Sequence, residues 1–348
     1  MEKARVAIAA ATAVLALLTA AGASAAPENS YTVTKLVSDE AGVALHQDSS
    51  LVNAWGLTAR PTSPWWVSDN GTDVSTLYTA DGTKVPLTVG VPNAPTGAVA
   101  NLGSEFMVSN GTTSASALFL FSTEEGKILG WNPSVSPDAV VAVPNTTGAI
   151  YKGLAIAGNR LYATDFHNAR VRVFDGNFQP VTRSGAFVDP DIPSGYAPFG
   201  IQNVNGAIVV TYAKQDADAE DDVAGQGHGF VDMFDTDGNL IERVAQHGQL
   251  NSPWGVAMAP PSFGAFGGDL LIGNFGDGEI SAFEPQPDGT FELVGQLRTA
   301  NHKMLSIDGL WALQFGKGAA NNGPMTTLFF TAGPDDESHG LFGTITAG

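Results

Sequence analysis

Asp69, Asp165 and Asn274 offer the hard oxygen donors that Ca²⁺ prefers. Each ends a short apolar run and opens a turn, so the three hold matching places in the chain. Asp and Asn also cap turns unaided, by hydrogen-bonding the backbone two residues on. Both readings stand for these residues. Tyr212 and Ala332 hold the same place in two further segments, and a sixth segment offers Asn110 or Ser122 depending on where a gap is set.

A second set is aromatic. Trp55, Phe199, Trp254 and Trp311 recur before Gly-aliphatic or Ala-aliphatic pairs, while Thr96 and Lys152 interrupt the series. Such a set could form a wall that stacks sugars or apolar rings, with Tyr212 beside it. It could equally be packing between neighbouring strands, where most Trp are found. His167, His228 and His339 fall in turns of the same class and could gather a three-His Zn²⁺ site or simply be exposed; His167 and His339 are also candidate ligand contacts. Two acidic segments, 214–229 and 335–339, read as a peripheral Ca²⁺ site, a lid, or solvated loops. No His-x-x-x-His pair, Gly-x-Ser-x-Gly elbow or Walker-type loop is present, so no complete nucleophile or acid–base constellation can be read.

These candidates hang on a repeat. A small or polar residue, a bulky one, Gly and an aliphatic return as Ala54-Trp55-Gly56-Leu57, Pro95-Thr96-Gly97-Ala98 and Tyr151-Lys152-Gly153-Leu154. They return again as Pro198-Phe199-Gly200-Ile201, Pro253-Trp254-Gly255-Val256 and the decayed Leu310-Trp311-Ala312-Leu313. Repeats of about 40–60 residues built from short strands predict a β-propeller. The expected fold is all-β with six four-stranded blades. Blade 5 reads as strands at 254–259, 269–274, 279–283 and 291–296, and blade 3 as 153–157, 160–164, 170–174 and 178–182. Asp81-Gly82, Asp175-Gly176 and Asp237-Gly238 mark hairpins that need positive φ. The last repeat is one strand short and Tyr31–Ser38 is one strand too many, so the N-terminal strand is expected to close the last blade. In such a blade the start of the first strand and the end of the second share an edge. All the candidates above therefore face one end of a central channel.

Residues 1–25 read as a signal peptide, with Lys3 and Arg5, an apolar run and Ala23-Ser24-Ala25, leaving 26–348 as one domain. No later run approaches ~20 apolar residues. With no Cys, neither disulfides nor thiolate sites are available. A net charge of −19 argues against nucleic acid and anionic lipid as partners. The expectation is a secreted (extracellular or periplasmic) monomer.

Residues 162–175 resemble an NHL-type repeat: a strand, an Asp/Asn-rich turn, and a strand ending in Phe174-Asp175. Segments 51–57, 67–71, 212–218, 273–278 and 331–343 are similar to hallmark segments of an uncharacterised family of secreted bacterial six-bladed propellers. Some members of that family carry a C-terminal surface-sorting tail, which Ile345-Thr346-Ala347-Gly348 does not match. The resemblance implies the fold and export but no reaction. Six-bladed lactonases and lyases place metals centrally, which is analogy at the level of fold. The sequence reading is a propeller that binds a small molecule, glycan or protein at the channel mouth. A Ca²⁺- or Zn²⁺-dependent hydrolase, lactonase or lyase on the same face is the alternative.

Overall fold

The computed structural model describes residues 27–348; the expected signal peptide lies outside the described residues. Six antiparallel sheets form the blades of a propeller, and among the described residues two short 3₁₀ turns are the only helical elements. Blade 1 comprises Ala54–Thr58, Trp65–Asp69, Val74–Tyr78 and Lys84–Gly90. Blade 5 comprises Pro253–Met258, Leu270–Asn274, Ile280–Pro285 and Phe291–Gln296. Blade 4 runs from Tyr196–Val204 to Leu240–Gln246 in the same order. Tyr31–Ser38 pairs antiparallel with Leu341–Ala347 and so completes blade 6, as its sequence position predicted. His46–Gln47 adds a short parallel strand outside it.

Two expectations need correction. Blade 3 has three strands, Tyr151–Ala157, Arg160–Asp165 and Arg170–Asp175, and 178–182 forms no fourth. Phe178 takes φ 61, and Pro180 has no N–H to give a ladder. An isolated bridge from Phe174 to Pro180 and backbone bonds from Asp175 N–H to Gln179 O and from Val181 N–H to Val173 O remain. Gly82 and Gly238 do take the positive φ expected of their hairpins, whereas in blade 3 it shifts to Phe178. In blade 2 a small hairpin, Met107–Ser109 with Ser114–Ser116, is inserted before the second strand, Phe119–Thr123. The register then pairs Thr123 with Pro95, so Thr123 holds the place assigned to Asn110 or Ser122.

The repeated glycine has a steric cause. A Cβ on Gly56 would lie 2.3 Å from the Thr96 carbonyl oxygen, and on Gly97 2.4 Å from the Leu154 nitrogen. On Gly153, Gly200 and Gly255 it would lie 2.9 Å from Phe199 O, 2.1 Å from Trp254 O and 2.6 Å from Trp311 O. Each inner strand thus abuts the backbone of the next blade's inner strand at the repeat itself. Hydroxyls lock the joints: Thr164 Oγ1 donates to Phe199 O (2.7 Å), Thr96 Oγ1 to Tyr151 O (2.8 Å), and Thr331 Oγ1 to Trp55 O (2.5 Å). The following residues, Leu57, Ala98, Leu154, Ile201, Val256 and Leu313, fill the axis and leave a cavity of only about 20 Å³. The expected channel is closed by its own inner strands.

Candidate functional site

The face that carries the second-to-third strand turns is built in two layers. The lower layer is aromatic. Trp55, Phe199 and Trp311 cluster with Phe166, Trp254 and Phe275. Ring centroids are 4.0 Å apart for Trp55 and Trp311, 5.8 Å for Phe199 and Trp311, and 4.0 Å for the stacked pair Phe275 and Trp311. The predicted aromatic series is therefore brought together, but as a buried floor. Trp55, Phe199 and Trp311 are each 1% exposed, and Trp254 and Phe275 alone are half-buried. Trp311 Nε1 donates to Asn53 Oδ1 (3.0 Å). Tyr212 is not part of this floor: it is buried in a separate cluster with Tyr162, Phe187 and Phe230, and burial holds its phenol pKa well above normal.

Above the floor lies a polar circuit drawn from five blades. Lys152 enters from the repeat position of blade 3 and passes over the Trp55 ring, Nζ 5.2 Å from its centroid. Its ammonium donates to Glu124 Oε1 (2.5 Å) from blade 2 and to Asp221 Oδ1 (2.9 Å) from blade 4. Burial alone would lower the Lys152 pKa; Glu124 and Asp221 more than reverse that and raise it. Glu124 Oε2 accepts from Asn70 (3.0 Å), and Asn53 Nδ2 donates both to Asn70 Oδ1 (3.2 Å) and to Glu337 Oε2 of blade 6 (2.5 Å). Burial pushes the Glu337 carboxyl up to about 7; the Asn53 bond and Lys152 oppose this, while Glu124 and Asp221 add to it.

Two loops bring these carboxylates inward. The 214–229 loop lies against blade 3, where Gln215 Nε2 donates to Phe166 O (2.7 Å) and His167 Nδ1 sits 3.2 Å from Ala219 O. The blade 6 loop places Asp335, Asp336 and Glu337 at φ 57, 50 and 65 in succession. Three consecutive non-glycine residues in the left-handed region are strained, and such strain concentrates at functional sites. The loop is pinned by Gly340 N–H and His339 Nδ1, which contact the two Asp39 oxygens at 2.8 Å each.

The expected metal residues take other partners. Asp165 accepts from Arg170 Nε (3.0 Å) and from the backbone and amide of Asn168, as a turn cap would. Asp69 is fully buried with Oδ2 on Thr76 N–H (2.9 Å), and burial raises its pKa. Asn274 donates to Gln249 O (2.7 Å) and Asp277 (3.1 Å). Asp69 Oδ1 and Asn274 Oδ1 are buried without a protein partner. Among the described residues no three His, Asp or Glu side chains gather where a metal could be held. His167, His228 and His339 likewise bond three separate partners, Ala219 O, Val223 O and Asp39. Lys152 brings a positive charge to the mouth. Sequence reasoning passed over it as a break in the aromatic series, although a lone cation at a position otherwise aromatic or hydroxylic was the available signal.

Sequence comparison places the chain among viral relatives. It is 34% identical over 330 residues to uncharacterised protein R648 of Acanthamoeba polyphaga mimivirus, covering 90% of this chain and 80% of the relative. Uncharacterised protein L690 of the same virus is 33% identical over 333 residues, covering 90% and 85%. This chain belongs to their family. These relatives are viral. No established family profile matches. Among solved structures, a protein of unknown function from Bacteroides thetaiotaomicron aligns with TM-score 0.56 at 9% identity, over 91% of this chain and 76% of that one. Virginiamycin B lyase from Staphylococcus aureus aligns with TM-score 0.51 at 11% identity, over 91% and 99%. A putative gluconolactonase aligns with TM-score 0.52 at 14% identity, over 85% and 89%. At such identities the likeness shows the propeller fold alone.

Proposed function

We propose that this protein is an exported binding propeller that takes a polyhydroxylated ligand, a sugar or glycan, at the polar mouth. The observation that carries the reading is the circuit Glu337–Asn53–Asn70–Glu124–Lys152–Asp221, which gathers carboxylates and amides from five blades onto one axis. Carboxylate oxygens and amide groups are the acceptors and donors that hydroxyls need. A groove of about 520 Å³ opens outward from Glu124, lined by Lys127, Asn145 and Ile150, and gives room for an extended ligand. Trp254 and Phe275 are partly exposed and add apolar surface, one face of Phe275 being stacked on Trp311.

The test is a glycan array followed by calorimetry. Binding should weaken at least tenfold in both Glu124→Ala and Trp254→Ala; affinity unchanged in both variants removes the mouth as the site. A second reading is a lactonase or lyase on the same face, favoured by Glu337, whose carboxyl near 7 can give or take a proton at neutral pH. That reaction would show a rate that tracks one group near pH 7 and is lost in Glu337→Gln. Melting with and without chelator tests the Ca²⁺ expectation, since a bound ion would raise the melting temperature.

A further inference from the structure

The opposite face of the disc, where the inner strands end, has a different character. Here a two-lobed basin of about 540 and 390 Å³ lies over the axis. Pro61, Gln202, Asn203, Asn205, Gln314 and Lys317 line both lobes. No Asp or Glu lines either one, in a chain with 35 acidic residues, and Lys317 is the single charged residue among the lining groups.

The polar groups are already oriented. Gln314 Nε2 donates to Leu57 O (2.7 Å), which turns its Oε1 toward Lys317 Nζ at 3.2 Å. Asn203 is spent on its own blade and the preceding one, donating to Ile156 O (2.9 Å) and accepting from Gly206 N–H (3.0 Å). Gln202 reaches both lobes and the axial cavity. The walls are apolar: Met258 and Phe315 line the larger lobe, and Met325 and Leu102 stand at the rim, each 64% exposed. A neutral amide is a weaker partner for an ammonium than a carboxylate is. Lys317 is solvent-exposed, and no carboxylate in the basin holds it as Glu124 and Asp221 hold Lys152.

We propose that this basin binds a small organic carboxylate with an apolar tail, the head on Lys317 Nζ and the Gln202 amide and the tail against Met258 and Met325. An incoming carboxylate supplies the counter-charge that the basin withholds, and the methionines adapt to irregular apolar shapes. Cation and apolar wall together select an amphiphilic anion over a free inorganic one.

The probes are octanoate and its neutral amide, octanamide, titrated calorimetrically into the full chain. Octanoate should bind once per chain and octanamide at least tenfold more weakly. Lys317→Gln should lose at least tenfold in octanoate affinity while Lys317→Arg retains it. Labelled Met258 and Met325 methyls should shift with octanoate in wild type, which keeps the reading testable should the Gln variant melt early. Lys152→Met, on the other face, should leave octanoate binding unchanged, so the outcome is independent of the glycan reading. Equal affinity for octanoate and octanamide, unchanged affinity in Lys317→Gln, or no shift at either methionine would overturn the proposal.

Discussion

The two faces of the disc are ends of the same six inner strands, yet they treat a lysine in opposite ways. At the strand starts, Lys152 is 3% exposed and held by two carboxylates, with a third, Glu337, close by. At the strand ends, Lys317 stands in an open basin with only an amide for a partner. One cation is internally neutralised and the other is left to find its counter-charge. The difference follows from the loops. On the first face the long 214–229 and 335–339 segments carry Asp221 and Glu337 inward over the axis. On the second, the turns between first and second strands are short in blades 3 and 4 and bring no acid to the basin. A rigid ring of strands presents its termini alike, and chemistry is set by which loops reach back.

The comparison breaks most completely if the ring itself is disturbed. Gly200→Ala puts a Cβ 2.1 Å from the Trp254 carbonyl, against backbone that cannot move without opening the joint between blades 4 and 5. The expected cost is above about 3 kcal/mol, at the upper end of overpacking, with both faces lost together. Chemical denaturation checks this. A variant as stable as wild type would show that the inner strands do not abut as described.

The next effect separates the faces. Lys152→Met leaves Glu124, Asp221 and Glu337 facing one another without their cation. Glu124 and Asp221 are 30% and 73% exposed, so water can solvate them, and the expected loss is about 1–2 kcal/mol, below that for a fully buried pair. Lys317→Met removes no ion pair and should stay within about 0.5 kcal/mol of wild type. Equal costs for the two substitutions would erase the distinction drawn between the faces.

A further effect is a pH dependence confined to the first face. Glu337 has its folded pKa raised from 4.5 to about 7, so between those values the folded state binds the proton more tightly. Its contribution to stability is complete below pH 4.5 and is lost as pH rises toward 7. Glu337→Gln should match wild type near pH 4 and exceed it by about 1–2 kcal/mol at pH 8, discounted for partial exposure. Asp232, also pushed up to about 7 by burial despite Arg243, titrates in the same window and is common to both proteins, so it cancels in the difference. A difference that does not change with pH would show that Glu337 titrates normally.

Much of the architecture was legible because it rests on local pattern. The period of the Gly phrase counts the blades, and one strand missing at the end with one spare at the start, Tyr31–Ser38, implies the closure that the pairing with Leu341–Ala347 realises. The missing fourth strand of blade 3 was not legible, since 176–183 carries the same turn-and-strand signals as its counterparts and fails only through Phe178 and Pro180.

The site divides in the same way. Sequence alone placed Trp55, Phe199, Trp254 and Trp311 on one face, because equivalent positions of a repeat must share an edge. Their burial as a floor, and the closure of the axis by Leu57 and its counterparts, came from inner strands approaching within contact of one another, which no single repeat encodes. The union of Lys152 with Glu124 and Asp221 joins residues 28 and 69 positions apart on three different blades. Such a contact depends on the lengths of long side chains and the fold-back of two loops. The fold-back is a property of the assembled ring, and along the chain only the break that Lys152 makes in the repeat hints at it.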